Sequence, residues 1–437
     1  MARTGSRPFG EVDLDRLQRD TFGYFLEETN PRNGLVADST REGSPSSIAA
    51  VGFALAAYAV GAERGFITRA QAIRRVLATL RFFWDSPQDG AADATGHKGF
   101  YYHFLDMQTG RRAWRSELST IDTTLLLAGV LAAATYFDHD TADEREIGRL
   151  ADALYRRVDW RWAQNGGQTV AHAWTPERGF MHARWEGYSE AILLYVLGLG
   201  SPTRPLPENS YGAWTRRYRW LKLYGREYLY AGPLFIHQLS HVWIDFRGIQ
   251  AGVMRERGID YFENSRRATF AQQRYAIRNP KGFKGYAEYC WGLTASDGPG
   301  PAIHRIDGTA RRFYDYKARG IPFGPDDGTI APWAAVASLP FAPEIVLPTI
   351  RHFHEAYPEL LSTYGLLCSL NPTLWDRSRG TEGWVSSGYY GLEQGPMVLM
   401  IENHGSGFLW NLMKRCPYLV TGLRRAGFAG GWLAATG

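Results

Sequence analysis

Hydrophobic positions recur with a helical period along most of the chain. "DLDRLQRDTFGYFLEET" places Leu14, Leu17, Phe22, Tyr24 and Phe25 on or near one face, the pattern of an amphipathic helix. "SIAAVGFALAAYAVGAERG" follows and stops at Gly65, and "TRAQAIRRVLATLRFFWDS" comes next with Thr68 as its cap. "STIDTTLLLAGVLAAATYF" and "TADEREIGRLADALYRRV" form another pair, and "SEAILLYVLGLGSP" ends in a Gly-Ser-Pro stop. Further helices are expected around 211–230, 261–278, 330–338, 342–356 and 402–414. Alternation by twos is rare and short, and "GFYYHFLDM" and "RGFMHARW" are its best instances.

The helices come in successive pairs joined by loops rich in Gly, Pro and aromatic residues. No composition break or flexible linker divides the chain. The expectation is an all-α protein in a single domain over residues 1–437, with 1–11 as a flexible N-terminal segment. Roughly a dozen helices in one uninterrupted domain point to helical hairpins closed into a double ring, an α-toroid with minor short strands in its loops. In such a ring the inner helix ends and their loops line one cavity. An irregular helical bundle gives a similar periodicity.

Composition narrows the function. The 437 residues are 45% hydrophobic and 21% charged, as a globular protein requires. Aromatic content is high at 14%, and many of the rings sit beside polar residues, as in a cleft lined for sugars. Net charge is only +5, and the arginines are scattered, without the basic run of a nucleic-acid module. Three cysteines do not make a disulfide framework. The N-terminal residues contain no apolar core of a secretory signal, so the sequence reads as cytoplasmic, or as periplasmic if a signal has been removed. No apolar run is long enough for a membrane span.

Several familiar chemistries lack their residues. "HQLSH" spaces His237 and His241 like zinc ligands, but Gln238 stands where the catalytic Glu would be, and no third ligand is evident. No metal or other cofactor is expected. Phosphate loops, dinucleotide fingerprints and serine-nucleophile elbows are also missing.

Carboxylates in aromatic company remain. "RWEGYSEAILLYVLG" sets Glu186 and Glu190 four apart beside Trp185 and Tyr188. On one helical face their charges would repel and hold a proton near neutral pH, as a general acid requires. The alternative is a solvated first turn favoured by the helix dipole. "SELSTIDTTLLLAG" offers Glu117 and Asp122, although Ser119 and Asp122 also fit a helix capping box. "HVWIDFRGI" mixes His241, Trp243, Asp245 and Arg247. "YFENSRRAT" adds Glu263 and Arg266, "YAEYCWGLTASDGP" adds Trp291 and Asp297, and "GTEGWVSSGYYGLEQGP" adds Trp384, Tyr390 and Glu393. Rings that stack on pyranoses, interleaved with groups that hold hydroxyls, suit a neutral oligosaccharide.

The segments "PLFIHQLSHVWIDFRG", "YFENSRRAT", "GLTASDGP", "DGTIAPWAAVASLPF" and "EQGPMVLMIENHGSGFLW" together resemble the bacterial glycoamylase-like family, from about residue 12 to 415. That family contains β-1,2-glucanases and a related domain of cyclic β-1,2-glucan synthases. The resemblance implies an (α/α)6 barrel that hydrolyses β-1,2-glucan with inversion and without a metal. It maps the general acid to Glu190 and a second carboxylate to Asp122. Two departures stand out. An acidic residue that usually precedes Asp122 is here Ser119, with Glu117 nearby. An acidic position in another segment is here Cys368, which leaves Glu117, Asp297 and Glu393 as candidate bases. An inverting pair would be separated by roughly 6.5–9.5 Å. Rival readings are a hydrolase, phosphorylase or ring-closing transglycosylase for another linkage, or a glycan binder without turnover.

Overall fold

The computed structural model describes residues 11–306, 308–376 and 381–435. Most of the expected N-terminal segment, 1–10, lies outside the described residues, and Glu11 already opens the first helix.

Two kinds of helix make up most of the fold. The amphipathic ones are α1 (Glu11–Glu27), α3 (Arg69–Asp85), α5 (Ala142–Arg157), α8 (Tyr261–Arg278), α10 (Pro343–Ala356) and α12 (Pro417–Arg425). In α5 the buried set Glu144, Ile147, Leu150, Ala151, Leu154 and Tyr155 follows the three- and four-residue spacing of a single stripe. Six others are buried on nearly all sides: α2 (Ile48–Glu63), α4 (Thr120–Tyr136), α6 (Ile192–Gly200), α7 (Leu239–Trp243), α9 (Pro332–Val336) and α11 (Gly391–Gly405). Side chains such as Leu193 and Leu194 are fully enclosed, and truncating one to Ala costs about 2–5 kcal/mol.

The buried helices form a closed circuit. α2 packs on α4 and α11, α4 on α6, α6 on α7, and α9 on α11. Gln238, just before α7, closes the remaining gap by donating to the Ala334 carbonyl at 2.6 Å and the Ser338 hydroxyl at 2.8 Å. The tightest contact, between α2 and α4, depends on glycine. A Cβ on Gly52 would lie 2.3 Å from the Leu125 carbonyl oxygen, and one on Gly129 would lie 2.0 Å from the Gly52 carbonyl oxygen.

Short strands gather at one end. A five-stranded antiparallel sheet runs in the order β1 (Gly96–His97), β2 (Phe100–Tyr102), β3 (Leu118–Ser119), β4 (Ala173–Thr175) and β5 (Gly179–Phe180). Strand β3 leads directly into α4. The segment before α2 joins this end to α11: Ile48 donates to the His103 carbonyl, and Gly391 donates to the Asp38 carbonyl.

Two expected helices differ. Within 211–230 the helix stops at Thr215, and a hairpin of Trp220–Leu223 and Arg226–Leu229 follows. Its two turn residues, Tyr224 and Gly225, both have positive φ, which a helix cannot hold. In place of a helix over 402–414, α11 begins at Gly391 despite its internal Pro396. It ends before Gly407 (φ 66°), and a separate helix, Phe408–Met413, follows.

Candidate active site

Strand β3 and the start of α4 fix the first carboxylate. Ser119 is extended, and its hydroxyl accepts the Asp122 N–H at 3.2 Å, so the helix starts there. The full capping box does not form. The Asp122 carboxylate instead accepts the Ser119 hydroxyl at 2.5 Å. His103, just after β2, presents Nδ1 to Glu117 at 2.8 Å and Nε2 to Asp122 at 3.6 Å. Burial alone would lower the imidazole's pKa, but Asp122, Glu117 and Asp38 outweigh it and raise it to about 9. His103 is therefore a cation at neutral pH. Burial raises Asp38 to about 6, with His103 opposing and Asp122 adding to the rise.

Glu190 lies in the turn that enters α6, half-buried, and its carbonyl accepts the Ser240 hydroxyl at 2.7 Å. Its carboxyl is raised to about 7, mainly by burial, with the Asp122 charge contributing. The expected repulsion from Glu186 is not the cause. Gly187 has φ 80°, the helix begins only at Ile192, and Glu186 turns outward to Arg217 at 2.9 Å and Thr169 at 3.2 Å. The Trp185 ring stacks on His172 at 4.0 Å, and its indole N–H donates to the Thr120 hydroxyl at 3.0 Å, against the first turn of α4. Tyr188 is buried beside Tyr261, with its hydroxyl 3.2 Å from His237.

A second polar cluster meets the first through Asp38. The Asp297 carboxylate binds Arg41 at 2.7 Å and Ser386 at 2.8 Å, while its N–H donates to the Cys368 sulfur at 3.2 Å. The thiol in turn donates to Glu393 at 3.1 Å. Arg41 and Tyr316 both lie against the Tyr390 ring. Glu393 is wholly enclosed, and burial pushes its pKa well above the carboxylate range. Burial does the same to the Cys368 thiol. Among the described residues, Asp297 Oδ1, Tyr390 Oη and Glu393 Oε2 have no hydrogen-bond partner.

Residues 182–417 match the Glycoamylase family model, described as glucoamylase. The chain belongs to this family. A glucoamylase-like protein of Bacteroides uniformis is 31% identical, with a TM-score of 0.86, and the alignment covers 98% of this chain and 100% of that one. The endo-β-1,2-glucanase of Chitinophaga pinensis, solved with sophorotriose and glucose, is 26% identical, with a TM-score of 0.83 and coverage of 95% and 98%. An exo β-1,2-glucooligosaccharide sophorohydrolase of Parabacteroides distasonis is 28% identical over 94% of this chain. The chain spans 57% of that curated relative's length.

In this Glycoamylase-family chain several expected sugar contacts lie elsewhere. Asp245 and Arg247 follow the C-terminal end of α7 and pair with each other at 2.7 Å; Lys414 also holds Asp245 at 2.7 Å. They form an ion cluster beside Trp410 and Trp432. His241 and Trp243 are core residues. His241 meets Ser265 at 2.9 Å, burial lowers its pKa to about 3, and Trp243 stacks on Phe53. Glu263 pairs with Arg267 one turn on, and Arg266 with Glu344, on the amphipathic α8 and α10. Trp291 is fully buried. Trp384 lies on a hairpin opposite Asn371. Glu393 is enclosed, and burial raises its pKa against the ionised form that a base needs. Glu117 enters the site through His103, and that contact lowers its pKa against the effect of burial.

Sequence reasoning missed Asp38, Arg41, His103, Tyr316 and Ser386. Asp38 and Arg41 lie in "VADSTREGSP", a polar loop just before an apolar helix, and that position was the available signal. Among the described residues, no group of three His, Cys, Asp or Glu side chains is arranged to hold a metal ion, and no helix is long and apolar enough to cross a membrane.

Proposed function

We propose that this Glycoamylase-family protein is a glycoside hydrolase that cleaves β-1,2-glucan or its oligosaccharides with inversion, on an (α/α)6 barrel. The circuit of buried helices packed on one another supports the barrel. The relatives' activities on β-1,2-linked glucose support the linkage. The observation that carries the chemistry is Glu190, a half-buried carboxyl raised to about 7 and coupled to Asp122.

A general acid must keep its proton until the leaving oxygen needs it, and a pKa near the working pH meets that need. Glu190 protonates the glycosidic oxygen. Asp122 activates the attacking water, directly or through a substrate hydroxyl. The Ser119 hydroxyl and the His103 cation fix its orientation. His103 also balances negative charge in a site that holds Asp38, Glu117, Asp122 and Glu190. The half-buried Trp185 offers a ring face, and the exposed Arg41 guanidinium, held by Asp297 from below, offers a polar contact for hydroxyls.

Incubation with linear β-1,2-glucan, beside β-1,3-glucan, cellulose-type oligomers and starch, tests the reading. Release of short β-1,2-linked products alone is expected, and turnover of another polymer alone would overturn the linkage. NMR of the anomer first released tests inversion.

A further inference from the structure

The loop between His103 and Glu117 carries an unusual turn. Ser116 N–H donates to the Ala113 carbonyl at 2.9 Å, which closes a four-residue turn. Its two central residues, Trp114 and Arg115, have φ 53° and 48°. Turns of this kind are normally made with Asn and Gly, because a bulky side chain at positive φ is strained. Here the first central position holds a tryptophan.

The strained turn is fixed in place. The Arg112 guanidinium donates to the Ser116 carbonyl at 2.5 Å and the Arg115 carbonyl at 2.8 Å, and it lies over the Tyr102 ring. Ala113 N–H donates to the Phe104 carbonyl at 2.9 Å. The Trp114 ring is nevertheless 66% exposed. Its support is Phe104, 5.0 Å away, which itself stacks on His103 at 4.0 Å. A continuous aromatic path therefore leads from open solvent to the imidazole beside Asp122. Trp84, also exposed, has Arg157 over its ring and, among the described residues, no ring stacked behind it.

Strain that persists at a pinned position beside reacting groups points to function. We infer that Trp114, backed by Phe104, is a stacking platform for a glucopyranose unit remote from the scissile bond, and that it sets the chain-length preference of the site. The exposed indole face offers apolar area at low entropic cost, and the ring faces of glucose are its complement. The inference rests on the glycoside hydrolase reading above.

The test compares the parent enzyme with Trp114→Ala and Trp114→Gly on a graded series of linear β-1,2-gluco-oligosaccharides, or of whichever glucan the parent cleaves. Trp114→Ala is expected to lower kcat/KM on the longest substrates about tenfold, mainly through KM, and to leave the shortest nearly unchanged. Trp114→Gly is expected to show the same loss while raising Tm, because glycine relieves the positive φ. A purely structural role for the ring would lower Tm with the activity. An equal loss at every length, or no loss at any, would overturn the platform. A parent inactive on the β-1,2 series but active on another glucan would overturn the linkage while leaving the platform to be judged on that glucan.

Discussion

The imidazole of His103 lies 3.6 Å from the Asp122 carboxylate and binds Glu117 through its other nitrogen. One cation thus serves two acids, Glu117 just before strand β3 and Asp122 in the first turn of α4. Its pKa is raised from 6.5 to about 9, so its stabilising contribution is fully present below pH 6.5 and disappears as pH rises through about 9. Urea unfolding of wild type and His103→Gln checks this. Wild type is expected to be the more stable at pH 6, with the difference gone by about pH 10.

Glu190 titrates at about 7, and an acid catalyst works only while protonated. The profile of kcat/KM should therefore fall on its basic side with a midpoint near 7. Glu190→Gln should abolish turnover while retaining oligosaccharide binding by calorimetry. Because burial opposes ionisation of this carboxyl, wild type loses stability as pH rises from 4.5 through 7. The Gln variant should then melt above wild type at pH 8. A variant that keeps most of its turnover would remove Glu190 from the acid role.

All three cysteines are free and buried, and burial raises each thiol's pKa. The thiolate is the reactive form. Ellman's reagent at pH 8 should find almost no reactive thiol in the native protein and three in urea. Rapid native labelling of Cys368 would contradict its enclosure between Asp297 and Glu393.

Asp245 is 4% exposed and held by Arg247 and Lys414. Asp245→Asn should cost about 1–3 kcal/mol of stability, because a hydrogen-bonded charge at a buried site is lost. KM for oligosaccharides should stay unchanged, since the cluster follows the C-terminal end of α7 whereas Asp122 lies in the first turn of α4. Chemical denaturation and steady-state kinetics on one preparation separate the two effects.

Helix identity was legible wherever periodicity and caps agreed. α1, α3 and α5 follow their hydrophobic stripes, and Thr68 makes the capping box with Gln71. The hairpin after Thr215 was obscured because Trp220, Leu221 and Leu223 fit either period until the Tyr224–Gly225 turn is known. Glu190 and Asp122 were legible as carboxylates beside aromatic residues, although the reason for the raised Glu190 was not. Spacing four apart implied a shared helical face, and Gly187 breaks it. Asp245, Arg247, Glu263 and Arg266 looked like sugar ligands because composition cannot distinguish a cleft from a packed ion pair. Asp38 and His103 were hidden because their importance arises from chain segments that meet only in the fold.

The circuit of buried helices also constrains how the protein is made. Arg425 in α12 reaches the Leu199 carbonyl in α6 across 226 positions, and Gln18 in α1 reaches Glu402 in α11 across 384. During synthesis α6 emerges long before the helix that covers it, and the α1 glutamine waits for almost the whole chain. The ring cannot close cotranslationally one hairpin at a time. Its apolar inner helices must stay shielded, by transient neighbours or by a chaperone, until the last segments leave the ribosome.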